Sequence, residues 1–325
     1  TPMRCWASAA CMPVFADSIP HNECMTEKSK ALSITAFATL LLVAFMMGAN
    51  HVAARFAFNN GVDVMTAVSF RSALTALVVG LILWQQKVQI KLEAHHKKYL
   101  PLIGLIIAVQ SVCLYSSVAR LPVALALLAF NTYPLSTAFW ARVLYKHQPE
   151  KAVLWSMPFI LVGLALALDV MGAASGLGAS EHWAQIGSGV AFALAASATF
   201  GLALVYTQHE TVGLDGRVRT FSSMSLVGVL AVAAALSQGG FHLPTAPAGW
   251  WGLGMLSFLY GTAFTILFTV LPRLGVVGNS AIMNVEPVFA LTLAWALLDQ
   301  AIAPIQLVGA ALVVGTVMWL GLRKR

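Results

Sequence analysis

Ten apolar stretches of about 20 residues each run through this 325-residue chain, with short clusters of charge between them. They fall at 32–54, 63–84, 99–118, 122–144, 152–170, 185–207, 219–238, 249–271, 275–297 and 303–322. About 20 apolar residues in a helix cross a hydrocarbon layer roughly 30 Å thick. In that layer a backbone amide has no water to bond, so a crossing segment must satisfy its own amides and be helical. The pattern predicts an all-α membrane protein with ten transmembrane helices. Composition agrees: the chain is 59% hydrophobic and 10% charged, where a soluble domain is about 25% charged.

The ten stretches repeat. Asn131-Thr132-Tyr133-Pro134 and Asn284-Val285-Glu286-Pro287 lie 153 residues apart, and the same offset pairs Arg120 with Arg273. Leu, Val and Ala recur by chance in any apolar chain, so Arg, Asn and Pro carry the match. The halves read as 31–170 and 185–322, with a linker at 171–184 that includes the stretch from Gly172 to Ser180. Five spans per half is an odd number, so the second half enters the membrane upside down. Two inverted five-helix repeats suit a carrier that exposes one site to either side of a membrane.

A net charge of +7 would suit nucleic acid, but its placement speaks for topology instead. With the N-terminus in the cytoplasm, the cytoplasmic side collects Lys28, Lys30, Lys87, Lys91, Lys97, Lys98, Arg142, Lys146, Lys151, Arg217, Arg219, Arg323, Lys324 and Arg325. The other side is expected to hold Arg55, Arg120 and Arg273. That bias places both termini in the cytoplasm, residues 323–325 forming a basic C-terminus. Trp84, Trp155, Trp183, Trp250, Trp251 and Trp319 lie near span ends, where the membrane interface favours them. Residues 1–30 read as a disordered tail, and its Cys5, Cys11 and Cys24 lack metal-ligand spacing.

Chemistry is expected where polar groups fall inside spans. Pro134 and Pro287 each remove a helical hydrogen bond, freeing the carbonyls of Phe130 and Met283. They read as hinges, and Asn131 and Asn284 are placed to satisfy those carbonyls or to face a ligand. Glu286 lies near the middle of a 23-residue span, where a carboxylate must be paired, hydrated or protonated. It is the candidate for proton coupling, with a fixed ion pair as the other reading, and Tyr133 occupies its place in the first half. Arg71 is expected to pair with Glu286, to attract a carboxylate or to snorkel outward. Asn50, Gln110, Ser111, Tyr115, Tyr260 and Thr262 add polar tips that line a cavity, whereas His51 reads as an interfacial histidine.

No phosphate loop, zinc-protease motif or nucleophile elbow is present, and no metal or cofactor is expected. An enzyme is therefore not the expectation. His95-His96 beside Lys97-Lys98 reads as a solvated loop. A scaffold or sensor using the same helices only for packing is the alternative to transport.

Three motifs carry a family resemblance over residues 31–322: Phe70-Arg71-Ser72-Ala73-Leu74, Asn284-Val285-Glu286-Pro287-Val288-Phe289-Ala290 and Gln306-Leu307-Val308-Gly309-Ala310. The chain resembles the drug/metabolite transporter superfamily, in its EamA-type group of ten-span permeases. The resemblance implies an inner-membrane secondary carrier, monomeric or homodimeric, that exports amino acids or related small metabolites. Two departures stand out. Where that group has Gly-Glu at the cytoplasmic ends of spans four and nine, this chain has Tyr145-Lys146 and Leu298-Asp299, implying an asymmetric gate. The first span reads Met47-Gly48-Ala49-Asn50-His51, where members of the group often have tryptophan before the glycine.

Overall fold

The computed structural model describes residues 34–322 apart from 89, 91, 149–150, 170–178, 270–284 and 301–302. The expectations for the tail, for residues 171–178 of the linker, and for Arg273, Asn284 and the C-terminal basic residues fall outside the described residues; the rest of the linker, 179–184, is the first part of a helix.

Among the described residues eleven helices follow one another: α1 (Ile34–Asn59), α2 (Val64–Gln85), α3 (Ala94–Arg120), α4 (Val123–Phe130), α5 (Tyr133–Tyr145), α6 (Lys151–Ala167), α7 (Ala179–Glu210), α8 (Gly216–Ser237), α9 (Pro247–Thr269), α10 (Glu286–Leu298) and α11 (Pro304–Leu322). Six spans, with Val123–Tyr145 taken as one, are long and apolar enough to cross a membrane. Leu154–Ala167, Glu286–Leu298 and Pro304–Trp319 are shorter apolar helices. Local chemistry starts several of them. The Asp63 carboxylate accepts from the Thr66 amide at 3.1 Å to cap α2, and Asp215 accepts from the Arg217 amide at 2.8 Å to cap α8. Trp84, Trp155 and Trp251 face outward with more than 70% of their surface exposed, as lipid-facing side chains do.

The sequence motif Asn-x-x-Pro marks a break in this structure. α4 stops at Phe130 and α5 starts at Tyr133, with Asn131 and Thr132 between them. Pro134 therefore sits in the first turn of a new helix, where its missing N–H costs nothing. Pro287 holds the same position in α10. Both helices are 13 residues long and both end on a left-handed residue, Lys146 and Asp299. Short α4 is buried from Val123 to Ala129 and forms the middle of the core.

Packing follows a two-fold pattern. α3 lies against α7, and its counterpart α9 lies against α1. α2 with α9 corresponds to α3 with α8, and α5 with α7 to α1 with α10. The pairs α2–α8 and α6–α11 map onto themselves. The dominant partners of every helix in the first half thus belong to the second half, so the repeats are interleaved. Glycine allows the closest approaches. A Cβ at Gly48 of α1 would lie 2.9 Å from the Glu286 carbonyl oxygen, and one at Gly201 of α7 would lie 2.7 Å from the Thr137 amide nitrogen. These two glycines are again 153 residues apart.

The inversion corrects two expectations. At one end, which we call the basic end, Glu210 closing α7 meets His95 opening α3, and Tyr145 closes α5 beside them. At the opposite end the Val123 amide opening α4 donates to Gln300, next to Asp299, at 3.1 Å. Lys146 and Asp299 therefore lie at opposite ends, not at the two cytoplasmic ends of one gate. Five spans turn the second half over, so equivalent sequence positions exchange faces. For the same reason α9 runs from the opposite end toward the basic end, and span order gives no support to setting Arg273 apart from the other basic residues.

Candidate functional site

Buried polar side chains from four helices, with a half-buried carboxylate from a fifth, meet inside the bundle. The Arg71 guanidinium (3% exposed) donates from one terminal nitrogen to Ser111 Oγ at 2.9 Å and from the other, at 3.5 Å, to Tyr115 Oη. It also lies 3.9 Å from the Tyr260 ring centroid and 4.8 Å from that of Tyr115. Tyr115 Oη donates onward to Asn50 Oδ1 at 3.0 Å, and Ser111 reaches Gln110 at 3.5 Å. Each hydroxyl accepts from the arginine and donates away from it, so the protons are ordered along the chain.

Glu286 opens α10, where a carboxylate is favoured by the unpaired amides of a helix N-terminus. Its Oε1 is 3.3 Å from His51 Nε2, with His51 3% and Glu286 19% exposed at the side chain. Gly48, one turn before His51, lets α1 approach α10 closely enough for this pair to form. Tyr133 and Tyr260 both lie within electrostatic reach of Glu286. Tyr133 also packs with Phe130 and Phe200, centroids 5.7 and 5.1 Å away, giving the site an aromatic flank.

The structure thus joins Asn50, Arg71, Gln110 and Tyr260 in one network, with Glu286 beside it and Tyr133 along its flank. Three expectations change. Arg71 does not snorkel, and among the described residues it has no carboxylate within ion-pair distance, so the Arg71–Glu286 pair is not formed. Glu286 takes His51 instead, a residue that looked interfacial because it closes an apolar run. Asn131 turns its amide onto its own backbone, donating to Leu127 O at 2.8 Å, and so caps α4. The motif signalled the break, and the asparagine serves it.

A second polar cluster lies at the basic end. Glu210 binds His95 Nε2 at 2.6 Å and accepts from Tyr145 Oη. Tyr145 stacks on His209 with ring centroids 3.9 Å apart, and His147 lies 5.1 Å from His209. This clamp joins α3, α5 and α7. His95 is thus not the solvated loop residue that its neighbours Lys97 and Lys98 suggest, because its acidic partner lies far along the chain.

An interleaved helical membrane bundle built from inverted repeats around a polar centre suits a carrier. A family model, the EamA-like transporter family, matches residues 34–168 and again 187–322. The chain belongs to the EamA-like transporter family, whose members are membrane transporters, and it is a multi-pass membrane protein. Sixteen solved chains match its fold. One, titled only as the crystal structure of a protein, aligns with a TM-score of 0.59 at 16% identity, covering 88% of this chain and 98% of that one. At that identity the likeness concerns the fold. No curated protein matches in sequence.

Proposed function

We propose that this protein is a secondary active transporter that exports small metabolites, working by alternating access around the centre formed by Asn50, His51, Arg71, Tyr115, Tyr260 and Glu286. The observation that carries this is the His51–Glu286 pair: a buried base and a half-buried acid 3.3 Å apart within a helical membrane bundle. A carboxylate held there, largely out of water, is costly unless it shares a proton or meets a cation. Such a pair takes up a proton on one side of the membrane and gives it up on the other, so the proton gradient drives the cargo. The basic end faces the cytoplasm of an inner membrane on this reading, in keeping with the positive-inside rule. Interleaving of the repeats favours moving bodies that each mix helices of both halves, rather than one half rocking on the other.

Glu286→Gln tests the coupling in liposomes under an imposed pH gradient. The variant is expected to lose gradient-driven accumulation, at least about tenfold, while exchange of cargo at equal pH persists. Full gradient-driven accumulation by the variant would remove Glu286 from the proton path.

A further inference from the structure

Arg71 is a buried cation with no counter-charge among the described residues. Its two terminal nitrogens bond neutral hydroxyls, and its Nε has no hydrogen-bond partner among the described residues. Asn50 Nδ2 is in the same position. The orientation of that amide follows from the network: Tyr115 accepts from Arg71, so it must donate to Asn50 Oδ1, which leaves Nδ2 facing elsewhere. The stretch 270–284 cannot supply the missing charge either, because its sequence contains no Asp or Glu. A guanidinium kept 97% buried on neutral partners is unfavourable in the empty protein, since removing an ion from water is repaid only by an opposite charge with good geometry.

We propose that Arg71 Nε and Asn50 Nδ2 form the docking point for a carboxylate group of the transported molecule. Two unpartnered donors on side chains that share the Tyr115 hydroxyl suit the two oxygens of a carboxylate. The Tyr115 and Tyr260 rings against the guanidinium make the subsite dry and flat, which favours a planar monoanion over a hydrated phosphate. Asn50 is next in sequence to His51, the partner of Glu286, so the bound group would sit beside the proton-coupling pair. The arginine is then a specificity residue: it contacts cargo and leaves proton transfer to His51 and Glu286. This rests on the transporter reading above.

The test is thermal unfolding of the purified full chain in detergent, using two probes: an equimolar mixture of the common L-amino acids and the same mixture as carboxamides. The acids are expected to raise Tm and the amides to do so at least about tenfold more weakly in concentration. Arg71→Gln should abolish the rise, yet unfold at the same or a higher temperature than the parent without ligand, because the unpaired charge is gone. Asn50→Ala should weaken the effect without abolishing it. Equal stabilisation by acids and amides, no stabilisation by the acids, or an unchanged response in Arg71→Gln overturns the carboxylate site. A lower ligand-free Tm in Arg71→Gln, with the acid response intact in Asn50→Ala, marks the arginine as structural and overturns it as well. Loss of binding with pH-driven transport intact in liposomes rejects this subsite alone; binding retained without any transport rejects the transporter reading instead.

Discussion

The two ends of the bundle are built on the same packing and closed by different chemistry. At the basic end, where α3 starts and α7 stops, Glu210 receives His95 and Tyr145. The equivalent place at the other end is where α9 starts and α1 stops. There the Thr245 amide and hydroxyl both donate to the Asn60 carbonyl, at 3.1 and 3.2 Å, and the His242 amide donates to Thr66 Oγ1 at 3.0 Å. Among the described residues there, only the 3.8 Å contact between His242 and Asp63 brings two ionisable groups together. Duplication supplied the geometry of both closures, and side-chain substitution made one of them charged. A charged clamp responds to protons and salt, whereas a backbone clamp holds alike over a wide range of conditions.

Three variants sharpen this contrast. The largest effect is expected from Glu210→Ala, which leaves His95 and the Tyr145 hydroxyl without their shared acceptor. Unfolding in detergent should show a loss of about 2–3 kcal/mol, with opening of the basic end visible as new reactivity of a cysteine introduced at Tyr206. Thr245→Ala at the other end removes only the hydroxyl bond, the amide bond to Asn60 being kept. It should cost about 0.5–1 kcal/mol by the same measurement. If the two variants cost the same, the proposed asymmetry is wrong.

The smallest effect concerns acid. The Arg217 side chain bonded to Asp215 holds the Asp215 carboxyl below its ordinary value, and burial opposes this only in part. A folded-state value below the unfolded one gives stability that is complete above the unfolded value and is lost as pH falls through the folded one. Asp215→Asn should therefore lower stability at neutral pH and leave it unchanged at strongly acidic pH. The group is a third exposed, so solvent limits the neutral-pH effect to about 0.5 kcal/mol. An equal loss at both pH values would show that the cap acts through shape rather than charge.

The same contrast explains how much could be read from the sequence. The repeated Asn-x-x-Pro pointed to the right places with the wrong geometry: the prolines read as hinges inside continuous spans, whereas each sits in the first turn of a helix, α5 or α10. Counting spans gave the inversion, since apolar length is a local property. Asn50, Arg71, Gln110, Tyr260 and Glu286 stood out because a polar group in an apolar run is conspicuous by itself. Partners were not legible. His51 meets Glu286 only because Gly48 admits the backbone of α10, and no local pattern announces that approach. His95 looked solvated because the acid that holds it ends a helix more than a hundred residues later. Asn131 misled in the other direction: its position was informative, while its amide is used up within its own helix.

Gly48 stands near the middle of α1, where the backbones of α1 and α10 touch. A contact that close permits tilting and resists sliding, so it acts as a fulcrum. At 1.5 Å per residue, the helix reaches about 20 Å to either side, and a tilt of about 10° displaces each tip by about 3 Å. Such a displacement parts a hydrogen bond at one end while pressing the other end shut. Gly201 offers the same bearing to α7 against α5, in the opposite sense. On the alternating-access reading proposed above, two hydrogen atoms in place of side chains would link the ends of the molecule as a seesaw links its riders, opening one being the motion that closes the other.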